Sequence, residues 1–319
     1  NIMKNIYSNI FSFNKKILLK SIANLEKGNV VGLPTETVYG LAGNAYSKKS
    51  INKIYKLKKR PKFNPLIVHY FCYKDAEKEV VLNDSFFKLY RKFCPGPITF
   101  ILKKRIKSEI QSSVTAGLNT VAVRFPSHRV VRSILKKIDF PLAMPSANLS
   151  SGVSPVNAEN VADDFKKKIK LIINGGKSKI GIESTVIDLT RKPKILRPGI
   201  VSPEIINRVL KTKINIAKKN FKFKSPGMLR KHYSPGIPIL LNQKNFNKKH
   251  AFITFGKKYK DKKNYFNLSK KSDLKEAASN LYKTLRKIKK LKFKKIYVVK
   301  IPNKNIGIAI NDRLKRAAN

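Results

Sequence analysis

Ile17, Leu18, Ile22 and Leu25 recur at helical spacing and the run stops at Gly28, so a helix is expected over 17–27. Val30, Val31 and Leu33 then read as a short buried strand running into Pro34. A second helix is expected over 47–59, with Ile51, Ile54, Tyr55 and Lys58 near one side, ending where Pro61 forbids its continuation. Short apolar runs at 66–68, 98–102, 121–125, 142–146, 171–173, 185–189 and 195–196 read as strands. Helices are expected between them at 84–93, 128–137 and 157–168, with one more at 203–210. This mixed alternation indicates an α/β or α+β domain built on a twisted sheet. A Lys-rich, poorly periodic stretch follows, and two S-P-G signals, at Ser225 and Ser234, mark an irregular linker. Beyond it a strand at 237–241, a strand at 251–255, a helix at 272–290 and a strand at 296–301 give the βα rhythm of a small parallel-sheet domain. The expected division is 1–212, a linker at 213–236, and 237–319.

Composition narrows the class. The chain has 319 residues, 42% of them apolar, too many for a disordered polyelectrolyte. No stretch approaches the ~20 consecutive apolar residues of a membrane span, so a soluble protein with no membrane partner is expected. Residues 1–20 are basic but lack a targeting peptide's apolar core and small-residue cleavage site; a first amphipathic helix is expected there. The chain does not open on Met, which suggests a trimmed or misassigned start. Two cysteines, Cys72 and Cys94, no C-x-x-C and no clustered histidines argue against a zinc site or a disulfide framework and fit a reducing cytoplasm.

The formal net charge is +52, from 70 Lys+Arg against 18 Asp+Glu. Such a balance attracts nucleotides and nucleic acid. However, the excess is mostly Lys scattered from end to end, and Lys, Asn and Ile share A/T-rich codons, so genomic base composition accounts for it equally well. Charge alone selects no function.

Four segments carry candidate chemistry. Pro34–Thr35–Glu36–Thr37–Val38–Tyr39–Gly40 presents hydroxyl, carboxylate and phenol groups at the end of a buried strand, where ligand crevices form; a capped turn uses the same residues. Lys58–Lys59–Arg60–Pro61 ends a helix whose negative pole suits cations, but Arg60, held extended before Pro61, aims a rigid fork of donors outward. Lys and Arg together suit a triphosphate, and no Walker A loop is present. Pro145–Ser146–Ala147–Asn148 offers a hydroxyl and an amide at a strand end. Glu183–Ser184–Thr185, with Arg197–Pro198–Gly199 close behind, is the fourth.

In order along the chain stand P-T-E-T-V-Y-G-L (34–41), K-x-R-P (58–61), N-P-L-I-V-H (64–69), C-P-G-P-I-T (94–99), T-V-A-V-R-F-P (120–126), P-S-A-N (145–148), E-S-T-V-I-D (183–188), R-P-G (197–199) and S-P-G-M-x-x-x-H-Y-S-P (225–235). This ordered set resembles the L-threonylcarbamoyladenylate synthase family, YrdC-like, in its long form with an additional C-terminal domain. The resemblance implies a fold of the α/β class: a YrdC-like twisted mixed sheet with flanking helices, plus a small C-terminal parallel-sheet, Rossmann-like α/β domain. It implies an enzyme, a nucleotidyltransferase that condenses L-threonine, bicarbonate and ATP to threonylcarbamoyl-AMP and pyrophosphate. A separate tRNA threonylcarbamoyl-transferase complex then acts on the adenosine beside the anticodon. Carried over by position, Thr35, His69, Arg124, Ser146 and Ser184 resemble threonine contacts. Lys58, Arg60, Asn64, Thr120, Asn148 and Arg197 resemble the ATP side, with His232 or Tyr233 of the linker near the nucleotide; Lys58 and Arg60 are the catalytic candidates. Val156 stands where a hydroxyl residue is expected, so one ATP contact loses its donor. Mg²⁺ is expected on the triphosphate, held by phosphates and water. Glu36 is the candidate for an outer-shell or threonine-amine role.

Two other readings compete. A non-catalytic protein of YrdC-like fold that binds structured RNA, with weak tRNA contact, fits the charge but has no need of Arg124, Ser146 and Ser184 together with Lys58 and Arg60. A module of another carbamoylation pathway would bring zinc-finger and acylphosphatase-like segments, and neither is present.

Overall fold

The computed structural model describes residues 7–217, 232–244, 249–259 and 262–319. The first part of the chain runs β1 (Ile10–Ser12), α1 (Lys15–Glu26), β2 (Val31–Leu33), β3 (Gly40–Asn44), α2 (Lys48–Lys58), β4 (Ile67–His69) and α3 (Tyr73–Ala76). It continues through α4 (Asp84–Phe93), β5 (Ile98–Lys103), α5 (Ser112–Thr115), β6 (Thr120–Arg124), α6 (Arg129–Leu135) and β7 (Leu142–Ala143). It closes with α7 (Ala158–Phe165), β8 (Ile172–Asn174), β9 (Thr185–Asp188), β10 (Lys194–Arg197) and α8 (Pro203–Leu210). Among the described residues, ten strands form one mixed sheet in the order β1-β8-β2-β3-β7-β4-β6-β5-β9-β10. The β4/β6 and β5/β9 pairs are parallel, whereas β2/β3, β4/β7 and β5/β6 are antiparallel.

Local chemistry sets the helix ends. Asn14 caps α1 by accepting from the N–H of Ile17, and Ser47 caps α2 by accepting from Ser50. Lys59 stops α2 in the left-handed region (φ 49°), which turns the chain sharply into Arg60 and Pro61. The start of the chain departs from expectation. Instead of an amphipathic helix across 1–20, Ile10 to Ser12 form an edge strand paired in parallel with Ile172 to Asn174, and the helix begins at Lys15; residues 1–6 lie outside the described residues. The edge position explains this, since β1 needs only one partner and three residues.

The second part contains β11 (Ile239–Leu240), β12 (Ala251–Thr254), β13 (Tyr265–Asn267), α9 (Leu274–Lys290), β14 (Ile296–Val298) and α10 (Ile306–Ala318). Its four strands form an all-parallel sheet in the order β11-β14-β12-β13. Its core is continuous with the first part: Val38, Val153, Val156 and Ile182 pack in the same apolar cluster as Leu281, Leu285 and Ile310. The contact is close. Gly181 has φ +77°, and a Cβ there would stand 2.6 Å from the Cα of Ser279 on α9, so only glycine fits. Arg286 on α9 reaches across to Asp164 at 2.6 Å and to the carbonyl of Val153. Among the described residues no helix is long and apolar enough to cross a membrane.

Candidate active site

A cavity of the first part, closed on one side by His232 and Tyr233, gathers Thr35, Arg60, His69, Arg124, Ser146, Glu183 and Arg197. His69 and Arg124 are directly paired residues of the β4/β6 ladder, and parallel partners place their side chains on one face. Arg124 is braced by a carboxylate: its Nη2 donates to Glu36 Oε1 at 2.7 Å and to Thr37 Oγ1 at 2.9 Å. Its Nε is buried with no acceptor among the described residues. A buried guanidinium with a spare donor in a cavity is chemically suited to a carboxylate, which can accept from two of its N–H groups at once. Glu36, the candidate for an outer-shell or threonine-amine role, is engaged by Arg124, its second oxygen accepting from the Ser127 N–H at 3.2 Å. Burial alone would raise the Glu36 carboxyl, but the guanidinium of Arg124 outweighs it and holds the group below the usual carboxylate range.

Thr35 lines the cavity while its hydroxyl closes a local turn, donating to the Val38 carbonyl at 2.6 Å and accepting from the N–H groups of Thr37 and Val38. His69 Nδ1 donates to the Ile67 carbonyl at 3.2 Å, and burial together with Arg124 keeps the imidazole neutral, its pKa well below normal. Ser146 lines the same cavity.

On the other side Arg60 is anchored by Asn64: Nε donates to the Asn64 carbonyl at 2.9 Å and Nη2 to Asn64 Oδ1 at 2.6 Å. Arg197 is anchored by Ser184, through its carbonyl and hydroxyl, both at 3.1 Å. The cavity lining therefore omits Asn64 and Ser184; each instead holds the arginine that does line it. Lys58 is 1% exposed and lies beneath the cavity, with Nζ donating to the carbonyls of Ser146 at 2.5 Å and Asn148 at 2.6 Å. Burial first, then the like charge of Arg60, push its pKa well below normal. Asn148 donates to Leu149 and Gly152 carbonyls and keeps a buried, unpartnered Oδ1. Thr120 stands at the opposite end of β6 from Arg124, paired with Lys103, away from the lining. Val156 is apolar core between the two sheets.

Motif reading alone passes over Glu183, which is valued there only as the neighbour of Ser184. It is a carboxylate of the cavity lining, and it accepts from Ser154 Oγ (2.5 Å), Tyr282 OH (2.8 Å) and Arg313 Nε (2.9 Å). Its partners lie 29, 99 and 130 residues away, so no local pattern reveals its role. His232 and Tyr233 stack with ring centroids 4.1 Å apart, and the buried His232 Nδ1 and Tyr233 hydroxyl have no partner among the described residues. Tyr233 is held at φ +64°, a left-handed conformation rare for an aromatic residue.

With this geometry in place, the likeness to known proteins is specific. A family model of the Sua5, YciO and YrdC proteins, described as "Telomere recombination", matches residues 23–199. The chain belongs to the Sua5–YciO–YrdC family. A second model, described as "Threonylcarbamoyl-AMP synthase, C-terminal domain", matches residues 201–319. The chain is 35% identical to the threonylcarbamoyl-AMP synthase of Pyrococcus abyssi, covering 92% of each. It is 34% identical to that of Bacillus subtilis, covering 96% of this chain and 94% of the relative. The crystal structure of P. abyssi Sua5 complexed with L-threonine superposes with a TM-score of 0.88 at 32% identity, over 97% of each chain. This Sua5–YciO–YrdC member therefore has the long, two-sheet architecture.

The buried ionisable groups fix how such a member responds to acid. Burial alone would raise Glu183, but Arg313 and Arg197 bring it down to about 2, so its stabilisation is full above the usual carboxylate pKa and is lost as pH falls toward 2. Burial lowers His232 to about 3; below the ordinary histidine pKa the unfolded chain takes up a proton that the folded one refuses. His69 and His128 shift in the same direction. All these contributions share one sign, so the thermal midpoint is expected to fall steadily from pH 7 to pH 3. A His232→Gln protein should show a shallower slope between pH 6.5 and 4.5; a flat parent profile there would refute the assignment.

Proposed function

We propose that this chain condenses L-threonine, bicarbonate and ATP to threonylcarbamoyl-AMP and pyrophosphate. The observation that carries the reading is the gathering, in one cavity, of a carboxylate-ready Arg124 with two further arginines, Arg60 and Arg197. One guanidinium takes the amino acid's carboxylate; the other two take phosphate oxygens. Neutral His69 beside Arg124 offers the threonine a group that adds no competing charge.

The chemistry needs no protein nucleophile. The threonine amine attacks carbon dioxide derived from bicarbonate and gives a carbamate, losing a proton. A carbamate oxygen then attacks the α-phosphorus, a new P–O bond forms, and the bond to the β-phosphate oxygen breaks as pyrophosphate leaves. The protein supplies position and countercharge: alignment of two bound reactants is worth roughly 7–11 kcal/mol, and fixed cations neutralise charge on the departing pyrophosphate. Mg²⁺ enters as part of the nucleotide substrate. The cavity's own carboxylate, Glu183, and Glu36 behind Arg124 are both committed to protein partners, which favours coordination by phosphates and water. The product, a mixed anhydride of a carbamate and AMP, is of the class that a separate transferase consumes, here one acting on tRNA.

The test is pyrophosphate release by the purified full chain, with mass spectrometry of the nucleotide product. Release is expected only when ATP, threonine and bicarbonate are all present. Equal release without threonine, or none at all, would sink the reading.

A further inference from the structure

We propose that Arg313 is a positioning residue of the active site, through which the second part of the chain sets the His232–Tyr233 wall of the cavity. This rests on the reading of that cavity as the ATP and threonine site. Arg313 lies on α10 with a side chain that is 0% exposed. Its Nε donates to Glu183 Oε2 at 2.9 Å, its Nη1 to Asp312 at 2.8 Å, and its guanidinium lies 5.2 Å from the ring centre of Tyr233. Glu183 is itself a cavity residue, next in chain to Ser184, which holds Arg197. Tyr282 on α9 donates to the same Glu183 oxygen and stacks on the far side of Tyr233 at 5.7 Å, 26° between planes. The chain is also tied down at this point by the His232 N–H, which donates to the carbonyl of Arg316 at 3.1 Å.

Tyr233 is thus packed between His232 and Tyr282 with Arg313 over its ring, and both helices of the second part converge on one carboxylate of the site. Plain docking does not call for this. An apolar interface is at least as stable as a buried ion pair, and Val153, Val156 and Ile182 already supply one. What the polar hub adds is direction. It fixes the rings while leaving the Tyr233 hydroxyl and His232 Nδ1 without a partner among the described residues, and those are the edges available to a bound nucleotide.

Steady-state kinetics of pyrophosphate release separates placement from general stability. Arg313→Lys keeps the charge and loses the planar fork, so the KM for ATP is expected to rise about tenfold, the scale of one charge-assisted hydrogen bond, while the KM for threonine stays within about twofold. Tyr282→Phe, a shape-conserving change, is expected to shift the ATP KM in the same direction by about threefold, equivalent to a neutral hydrogen bond. Asp164→Asn breaks the Arg286 contact elsewhere in the same interface and is expected to lower the thermal midpoint with no ATP-selective change. An ATP KM that is unchanged or lower in the Arg313 variant, or shifts equal for both substrates, overturns the proposal. If Arg313→Lys does not fold, Tyr282→Phe decides alone on the same criteria. A parent protein that releases no pyrophosphate with both substrates refutes the functional reading and this inference with it. An active parent with unshifted variants refutes the inference only.

Discussion

An Arg124→Ala protein is expected to lose threonine-dependent pyrophosphate release by about 30-fold or more in kcat/KM, the result of deleting one member of a buried, hydrogen-bonded charge pair worth ~2–5 kcal/mol. The effect should fall on threonine, because Arg124 sits beside His69 and Thr37 while Arg60 and Arg197 are anchored separately by Asn64 and Ser184. A second effect travels with it. Removing the guanidinium strands the Glu36 carboxylate, which is only 9% exposed at its side chain, and an orphaned buried charge costs about 3–5 kcal/mol. The two consequences separate in a double variant. Arg124→Ala with Glu36→Gln leaves no unpaired charge, so the melting temperature should recover much of the loss while threonine use stays impaired. Recovery of both would mean that Arg124 acts only as a structural partner of Glu36.

The second large effect is expected from Arg60→Ala, with the ATP KM rising about 30-fold or more on the same charge-pair scale and the threonine KM little changed. Arg60 is locked by three hydrogen bonds, to the Asn64 carbonyl, Asn64 Oδ1 and the Pro65 carbonyl, so its orientation is set before any ligand arrives. Its removal also withdraws the positive neighbour that helps to depress Lys58. Lys58 cannot substitute for it, since its ammonium is occupied by the Ser146 and Asn148 carbonyls. Equal losses for both substrates would undo the division of the cavity into an amino-acid side and a nucleotide side.

Much of this architecture is legible in periodicity and punctuation. The Asp84–Phe93 and Pro203–Leu210 helices and the strands that deliver His69 and Arg124 follow from apolar spacing bounded by Asn, Pro and Gly. The Gly40–Asn44 strand does not, because G-L-A-G-N has little intrinsic preference for extended structure. It is a strand because it pairs with β2 on one edge and β7 on the other, and its glycines fit the crowding there: a Cβ on Gly43 would stand 3.1 Å from Ile54 Cδ1, and one on Gly40 only 2.3 Å from Met144 Cγ. The Ile306–Ala318 helix is hidden for a related reason. Its apolar residues are helically spaced, but Pro302 and Gly307 read as a loop. Gly307 is needed because any side chain there would strike the Pro302 carbonyl, 1.9 Å from its Cβ position. Within the site, Arg60, Arg124 and Arg197 are visible as motif residues. Glu183 stands in a motif without its role showing and Arg313 stands in none, since 130 residues separate them and their pairing exists only once the two sheets pack.

The cavity's charge balance also bears on how the reaction ends. Three guanidiniums, those of Arg60, Arg124 and Arg197, line a space whose one carboxylate, Glu183, is already engaged, so the positive field that draws a triphosphate in acts equally on what is left behind. Pyrophosphate carries nearly the same anionic groups as the tail of ATP and meets the same arginines on its way out. The arrangement that favours the forward encounter thereby retains the leaving group, and turnover comes to depend on how fast that product escapes, or on its removal by hydrolysis in the surroundings.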